Sequence, residues 1–238
     1  MSQPYHVLGR WDADVLIVAD HASNHIPPDI DLGIDPALRD EHVALDIGVA
    51  GVARLLVEEW DFCAILGGVS RLVVDYNREP DAAALVPIQS DGHDIPGNRE
   101  IDIGERLTRF HSPYHDQVAT LTAQDHAPFI LSLHSFTPGL RSRPDEQRPW
   151  QIGILYNEDD RAPRIAIPWL EDRGLAVGDQ QPYSGRQLNA TMNRHAEAHG
   201  RPYLGVEIRQ DLIGEPEGQA RFAAILGPLV RTLRETLR

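Results

Sequence analysis

Three short apolar runs each deliver a chemistry-bearing side chain at their carboxyl end: VLIVAD leads into His21, FILSL into His134 and YLGV into Glu207. Histidine, histidine and carboxylate form the donor inventory of a catalytic zinc site. In open α/β sheets, ligands bind outside the carboxyl ends of the strands. Three such runs lying as parallel neighbours would therefore gather these side chains in one crevice. Each residue alone would equally suit a polar position where a strand emerges into solvent; it is the joint pattern that points to a site.

A second constellation is SRLVVDYNR, which holds Arg71, Asp75, Asn77 and Arg78. In an extended segment, alternation places Arg71 and Asp75 on one face and Asn77 and Arg78 at its exit. Guanidinium forks match carboxylate geometry, which suits a carboxylate-bearing substrate; the competing use is an internal Arg–Asp ion pair. In DHASNHIP, His21 and Asn24 would share a face if a helical turn starts there, while Ser23 or Asn24 would serve equally as a helix cap. His25 is a spare ligand candidate or a loop residue. His111 and His115 have chelating spacing but lack the glutamate of HExxH, and are expected on the surface. The chain has neither a phosphate-binding glycine loop nor a GxSxG elbow, which disfavours P-loop and serine-hydrolase chemistry.

The elements that must position these residues alternate. Apolar, β-branched runs at 15–19, 64–75, 129–133 and 203–208, with a fifth at 151–156, read as strands, and their continuous apolar character suits burial on both faces. Amphipathic stretches at 37–59, 103–123, 163–173, 187–199 and 218–237 read as helices. Asp46 falls inside the first of these. The pattern predicts an α/β fold with a mixed, mostly parallel central sheet and helices on both faces, in one domain over residues 1–238. Polar, Pro- and Gly-rich stretches at 80–98 and 137–149 read as surface loops of the kind that cover sites.

Composition narrows the chemistry. The formal charge is −14, and all 22 basic residues are arginine. Such a field repels nucleic acid and anionic membranes, so neither is an expected partner. The single cysteine, Cys63, excludes a disulfide framework or a multi-cysteine zinc module. Any metal must be bound by His, Asp, Glu or Asn. The amino terminus lacks a signal-peptide pattern and no apolar run approaches membrane-spanning length, so a cytoplasmic location is expected.

Taken in order, HASNHIP, the DIG at Asp46, SRLVVDYNR, LHSFTP and VEIRQDLI resemble the N-formylglutamate amidohydrolase family over residues 21–213. That family is similar to zinc carboxypeptidases and aspartoacylases, which share a mixed α/β fold, a metal-bound water and a glutamate base. The resemblance implies one divalent zinc ion held by His21 and His134, with Glu207 as the catalytic glutamate. Arg71, Asn77 and Arg78 take the role of holding the substrate carboxylate, with Arg71 also placed to stabilise an oxyanion. The wider zinc-peptidase motif is H-x-x-E, whereas this chain has Asn24 at the fourth position. A neutral amide is a poorer zinc ligand than a carboxylate, so Asp46 is the preferred third ligand and Asn24 the second choice. YSGRQLNATMNRH resembles a family region too, adding Arg186, Asn193, Arg194 and His195 as pocket candidates.

The implied activity is hydrolysis of the N-acyl amide of a small acidic amino acid, most simply N-formyl-L-glutamate. Its rivals are a deacylase or carboxypeptidase for another N-acyl amino acid or small peptide, and a non-catalytic carboxylate-binding protein on the same fold.

Overall fold

The computed structural model describes residues 2–123 and 128–237. Its strands are β1 (Tyr5–Leu8), β2 (Val15–Ala19), β3 (Cys63–Gly67), β4 (Gln89–Ser90), β5 (His93–Asp94), β6 (Phe129–Phe136), β7 (Ile152–Leu155), β8 (Val177–Asp179) and β9 (Tyr203–Arg209). Its helices are α1 (Val49–Trp60), α2 (Ile103–Arg106), α3 (Ser112–Thr122), α4 (Pro163–Glu171), α5 (Ala190–His195) and α6 (Pro216–Thr236). Seven strands form one sheet in the order β1-β3-β2-β6-β9-β7-β8, and β4 and β5 pair separately. The pairs β2–β3, β2–β6, β6–β9 and β7–β8 are parallel; β1–β3 and β7–β9 are antiparallel. The sheet is thus mixed and mostly parallel.

Alternation along the central strands divides the core in two. Val15, Ile17 and Ala19 of β2, with Leu131 and Leu133 of β6, pack on α1, α4 and α6. Leu16, Val18 and Ile130 face the opposite way, towards Tyr114 and Val118 of α3 and Met192 of α5. Helices therefore cover both faces, as continuous apolar strands require. By the same alternation, His134 and Glu207 lie on the α3–α5 side of their strands. No described helix is long and apolar enough to cross a membrane.

Several expected elements are shorter than their apolar patterns. The run at 64–75 is a strand only to Gly67; Ser70 then closes a turn, its carbonyl accepting from Val73 N at 2.8 Å and its hydroxyl from Leu72 N at 3.2 Å. Arg71 and Asp75 consequently sit on a compact turn and not on one face of a strand. The stretch at 37–59 is helical only at Pro36–Asp40 and from Val49 onward. Asp46 precedes α1, because Gly48 adopts a left-handed φ of 83° and its backbone packs where a Cβ would stand 2.1 Å from the Ile213 carbonyl oxygen. Only Gly fits such a position without strain. In the same way, 187–199 contains α5 alone and a short 3-10 turn. Of the two expected loops, 80–98 carries the β4–β5 hairpin, and 137–149 has no regular element.

Candidate active site

Because β2, β6 and β9 are adjacent and parallel, their carboxyl ends coincide. His134 and Glu207 are register partners across β6 and β9, and His21 follows β2 by two residues. The His21 and His134 rings lie 5.0 Å apart. The DIG turn before α1 delivers Asp46 beside them, tied down by Asp46 N donating to the His21 carbonyl at 2.9 Å. Asp46 Oδ2 is 2.8 Å from His134 Nδ1 and 3.5 Å from His21 Nδ1. His21, Asp46 and His134 are all buried, with one ligating atom from each within 4.8 Å of the others.

Each histidine is backed by a carboxylate on its far nitrogen. His21 Nε2 lies 2.6 Å from Asp75 Oδ1, and His134 Nε2 lies 3.5 Å from Asp20 Oδ2. Tyr114 fixes Asp20, donating its hydroxyl to Oδ1 at 2.7 Å. Carboxylates in this place orient metal-ligating histidines and raise their basicity. His21 Nδ1 is buried without a hydrogen-bond partner, so the near side of that ring is free to ligate. Two imidazoles and a carboxylate, directed by outer carboxylates, fit a divalent ion.

The electrostatics follow from packing charges out of water. Burial opposes charge on Asp46 and Asp75, yet the neighbouring histidines, with Arg71 beside Asp75, hold both carboxyls below the usual range. Burial likewise opposes protonation of His134, and the Asp20 and Asp46 carboxylates overcome it, raising its pKa. Arg71 bridges the acids, donating from Nη1 to Asp46 Oδ1 at 3.2 Å and from Nη2 to Asp75 Oδ2 at 3.1 Å. Glu207 is 8% exposed and its Oε2 has no partner. Burial pushes its carboxyl up to about 7, with His134 and Arg71 pulling down and Asp46 pushing up. A carboxylate near neutrality can both take and return a proton.

These groups open on a cavity of about 310 Å³, which Asn77 and Arg78 also line. Asn77 Oδ1 accepts from Thr191 N at 3.0 Å, leaving its amide N–H₂ for the cavity. Arg78 Nε stands 3.9 Å from Asp75 Oδ2 and Nη1 donates to the Asn77 carbonyl at 3.0 Å. The expected residues Arg71, Asp46, Asn77, Arg78, His21, His134 and Glu207 thus surround one space. The remaining candidates do not. Asn24 follows His21 in a segment without regular structure, not a helical turn, and donates its side-chain amide to Asp40 Oδ1 at 2.8 Å. Arg186 and Arg194 are exposed outside the cavity wall. Asn193 is half-buried, accepting on Oδ1 from Asn157 and Asn189. His195 is buried against His115 and not in the cavity. His111 and His115, expected on the surface, are also buried.

Sequence reasoning passed over Asp20 and Tyr183. Asp20 lies one residue before His21, a position readable from β alternation once Tyr114 is known to face that side. Tyr183 lines the cavity with its hydroxyl accepting from Arg148 Nη1 at 3.0 Å. Gln180 pins this loop, donating to the Tyr156 carbonyl at 2.6 Å and accepting from Gly185 N at 2.9 Å. Nothing in the local pattern of QQPYSG marks it.

Curated protein sequences contain no match to this chain. Among solved structures, it is similar to the gene product Atu2144 from Agrobacterium tumefaciens, with 32% identity, TM-score 0.90 and coverage of 98% of this chain and 95% of that one. It is also similar in fold to the N-formylglutamate amidohydrolase from Ralstonia eutropha JMP134, with 19% identity, TM-score 0.71 and coverage of 98% of each chain. The profile of N-formylglutamate amidohydrolases matches residues 13–214. That span runs from the start of β2 past the end of β9 and holds every residue of the cluster described above. The chain belongs to the N-formylglutamate amidohydrolase family.

Proposed function

We propose that this amidohydrolase is zinc-dependent and removes the N-acyl group of an acidic amino acid, most simply converting N-formyl-L-glutamate and water to formate and L-glutamate. The observation that carries this reading is a buried His21–Asp46–His134 group facing Glu207 in a cavity that also presents Arg71, Asn77 and Arg78. His21, His134 and Asp46 would hold the ion, which supplies Lewis acidity and a more acidic water.

The chain's own groups account for the rest. Glu207 takes a proton from the attacking water and passes it to the departing amine nitrogen, so that the carbon–nitrogen bond breaks with no net change in Glu207. Arg71 donates towards the oxygen on which negative charge develops. Tyr183, whose oxygen already accepts from Arg148, has its own proton to offer the same oxygen. Arg78 and the Asn77 amide grip a substrate carboxylate, which lets a strongly acidic protein select an acidic ligand.

The test is a panel of N-formyl, N-acetyl and aryl-acyl amino acids and small peptides, assayed with zinc and with chelator. Preference for N-formylglutamate, abolished by chelation, is expected. Glu207→Gln should keep its metal and lose turnover by about a thousandfold, within the range for removing a general acid–base; full activity in that variant would reject the assigned role. Cleavage only of other acyl groups or peptides would move the substrate, and tight carboxylate binding without turnover or metal would overturn the enzymatic reading.

A further inference from the structure

Behind the cavity stand three histidines that the chemistry above does not use. His111, His115 and His195 are 1%, 2% and 3% exposed. The His111 and His115 ring centroids lie 4.3 Å apart, and those of His115 and His195, whose planes are within 12° of parallel, lie 5.2 Å apart. Their hydrogen bonds disfavour a metal. His111 Nε2 lies 3.0 Å from the Arg78 carbonyl oxygen, and His115 Nε2 lies 2.9 Å from that of Tyr76. A carbonyl only accepts, so both nitrogens carry protons. In a neutral His115 ring, Nδ1 is then the acceptor for His195 Nε2, 2.9 Å away. Every proton in the chain is assigned with all three rings neutral.

Burial agrees, pushing His115 down to about 3 and His195 to about 4. The helix is shaped to present the pair: a π-helical turn, Leu107–His111, precedes α3. Pro113 has no N–H for the Arg109 carbonyl four residues back and its ring crowds that carbonyl, which the wider turn relieves. Such turns recur at functional sites.

What the histidines hold is the backbone on either side of Asn77. Thr191 adds a hydroxyl to the Tyr76 carbonyl at 3.4 Å and its N–H to Asn77 Oδ1 at 3.0 Å, while Asn77 N donates to Asp75 Oδ1 at 3.0 Å. With these groups engaged, the Asn77 amide N–H₂ and the Arg78 guanidinium are what remain for a ligand.

We propose that His111, His115 and His195 are positioning residues, a neutral clamp that fixes the Tyr76–Arg78 peptide planes so that Asn77 and Arg78 meet the substrate carboxylate. This rests on the cavity's acidic-substrate reading, and its test separates the two. His111→Leu removes the bond to the Arg78 carbonyl, and His111→Gln restores an N–H at similar reach. Hydrogen exchange of the 75–80 segment should accelerate in the first and return towards wild type in the second, whatever the substrate. With N-formylglutamate, His111→Leu should raise KM about tenfold, the worth of one strong hydrogen bond, by more than it lowers kcat. Its diamide analogue should show no such rise, and Gln should rescue. Should His111→Leu fail to fold, His111→Asn, polar but too short to reach the carbonyl, takes its place. Unchanged exchange, or an equal loss on both substrates without rescue by Gln, overturns the clamp. Wild-type inactivity on N-formylglutamate sinks only the substrate reading, because the exchange result stands apart from it.

Discussion

The buried His195 makes a quantitative claim about acid stability. In the unfolded chain its imidazole takes a proton near its ordinary 6.5; in the fold, burial and the Arg194 charge hold it down to about 4. Between those values the unfolded state binds more protons than the native state, so unfolding free energy rises with pH there. The stability present above 6.5 is lost as pH falls towards 4. At about 1.4 kcal/mol per pH unit, this one group costs about 2 kcal/mol by about pH 5. Glutamine at this position keeps an N–H for His115 Nδ1 and does not titrate. His195→Gln should therefore carry its full destabilisation at about pH 8 and about 2 kcal/mol less of it at about pH 5. Urea unfolding of both proteins in chelator, at several pH values, measures the difference. The other titrating groups are common to both and their contributions largely cancel; the exception is His115, which His195 touches and helps to depress, and whose proton uptake falls nearer pH 3, below the range compared. Two unfolding curves that remain a constant free energy apart across that range would refute a neutral, proton-excluding His195, and with it the tautomer chain through His115.

The site makes further predictions. Asp46→Ala should purify with little metal by elemental analysis, and unchanged content would remove Asp46 from the proposed ligand set. Asp20→Asn, which removes the carboxylate behind His134 while keeping an amide oxygen for the Tyr114 hydroxyl, should lower metal affinity about 10- to 100-fold; titration with a competing chelator reads this directly. Arg78→Ala should raise KM for N-formylglutamate about 10- to 100-fold, the loss of a charge-assisted hydrogen bond of about 1.5–3 kcal/mol, and leave the diamide's KM where it was. Equal effects on both would place Arg78 in the scaffold.

What the sequence disclosed and what it hid divide along physical lines. The positions of His21, His134 and Glu207 were readable because a strand's apolar run ends where the sheet ends, and parallel neighbours end together. Asp46 was visible as a residue but wrongly read as helical. Its segment has helical periodicity, and what breaks it is a single residue, the left-handed Gly48, whose backbone lies too close to the distant Ile213 carbonyl to admit a side chain. His111 and His115 carry helical spacing that says only that they share a face. That this face is inward depends on the π turn and on carbonyls of Tyr76 and Arg78, some thirty to forty positions away in sequence. Arg194 and His195 are adjacent on a short helix, and adjacency cannot tell which one the core takes.

The charge balance around the cluster is compatible with the proposed metal even though position 24 carries Asn24 in place of a carboxylate. Around the proposed ligands, among the described residues, Asp46 and Asp75 are ion-paired with the guanidiniums of Arg71 and Arg78, Asp20 and Glu207 pair with no arginine, and the histidines are the adjustable members. The three aspartates, held ionised, exceed the two guanidiniums by one, and Glu207, raised to about 7, adds part of another negative charge at neutral pH; a buried excess of negative charge is expensive, and the proposed divalent ion would offset it. A glutamate at position 24 would have added another carboxylate near a cluster already in excess. The proposed third ligand, Asp46, comes instead from the turn before α1, where Arg71 and the Ser135 amide both donate to it at 3.2 and 3.3 Å. Those donors hold the carboxylate in place between the two imidazoles, and Asn24 is left to tie down Asp40 on the periphery.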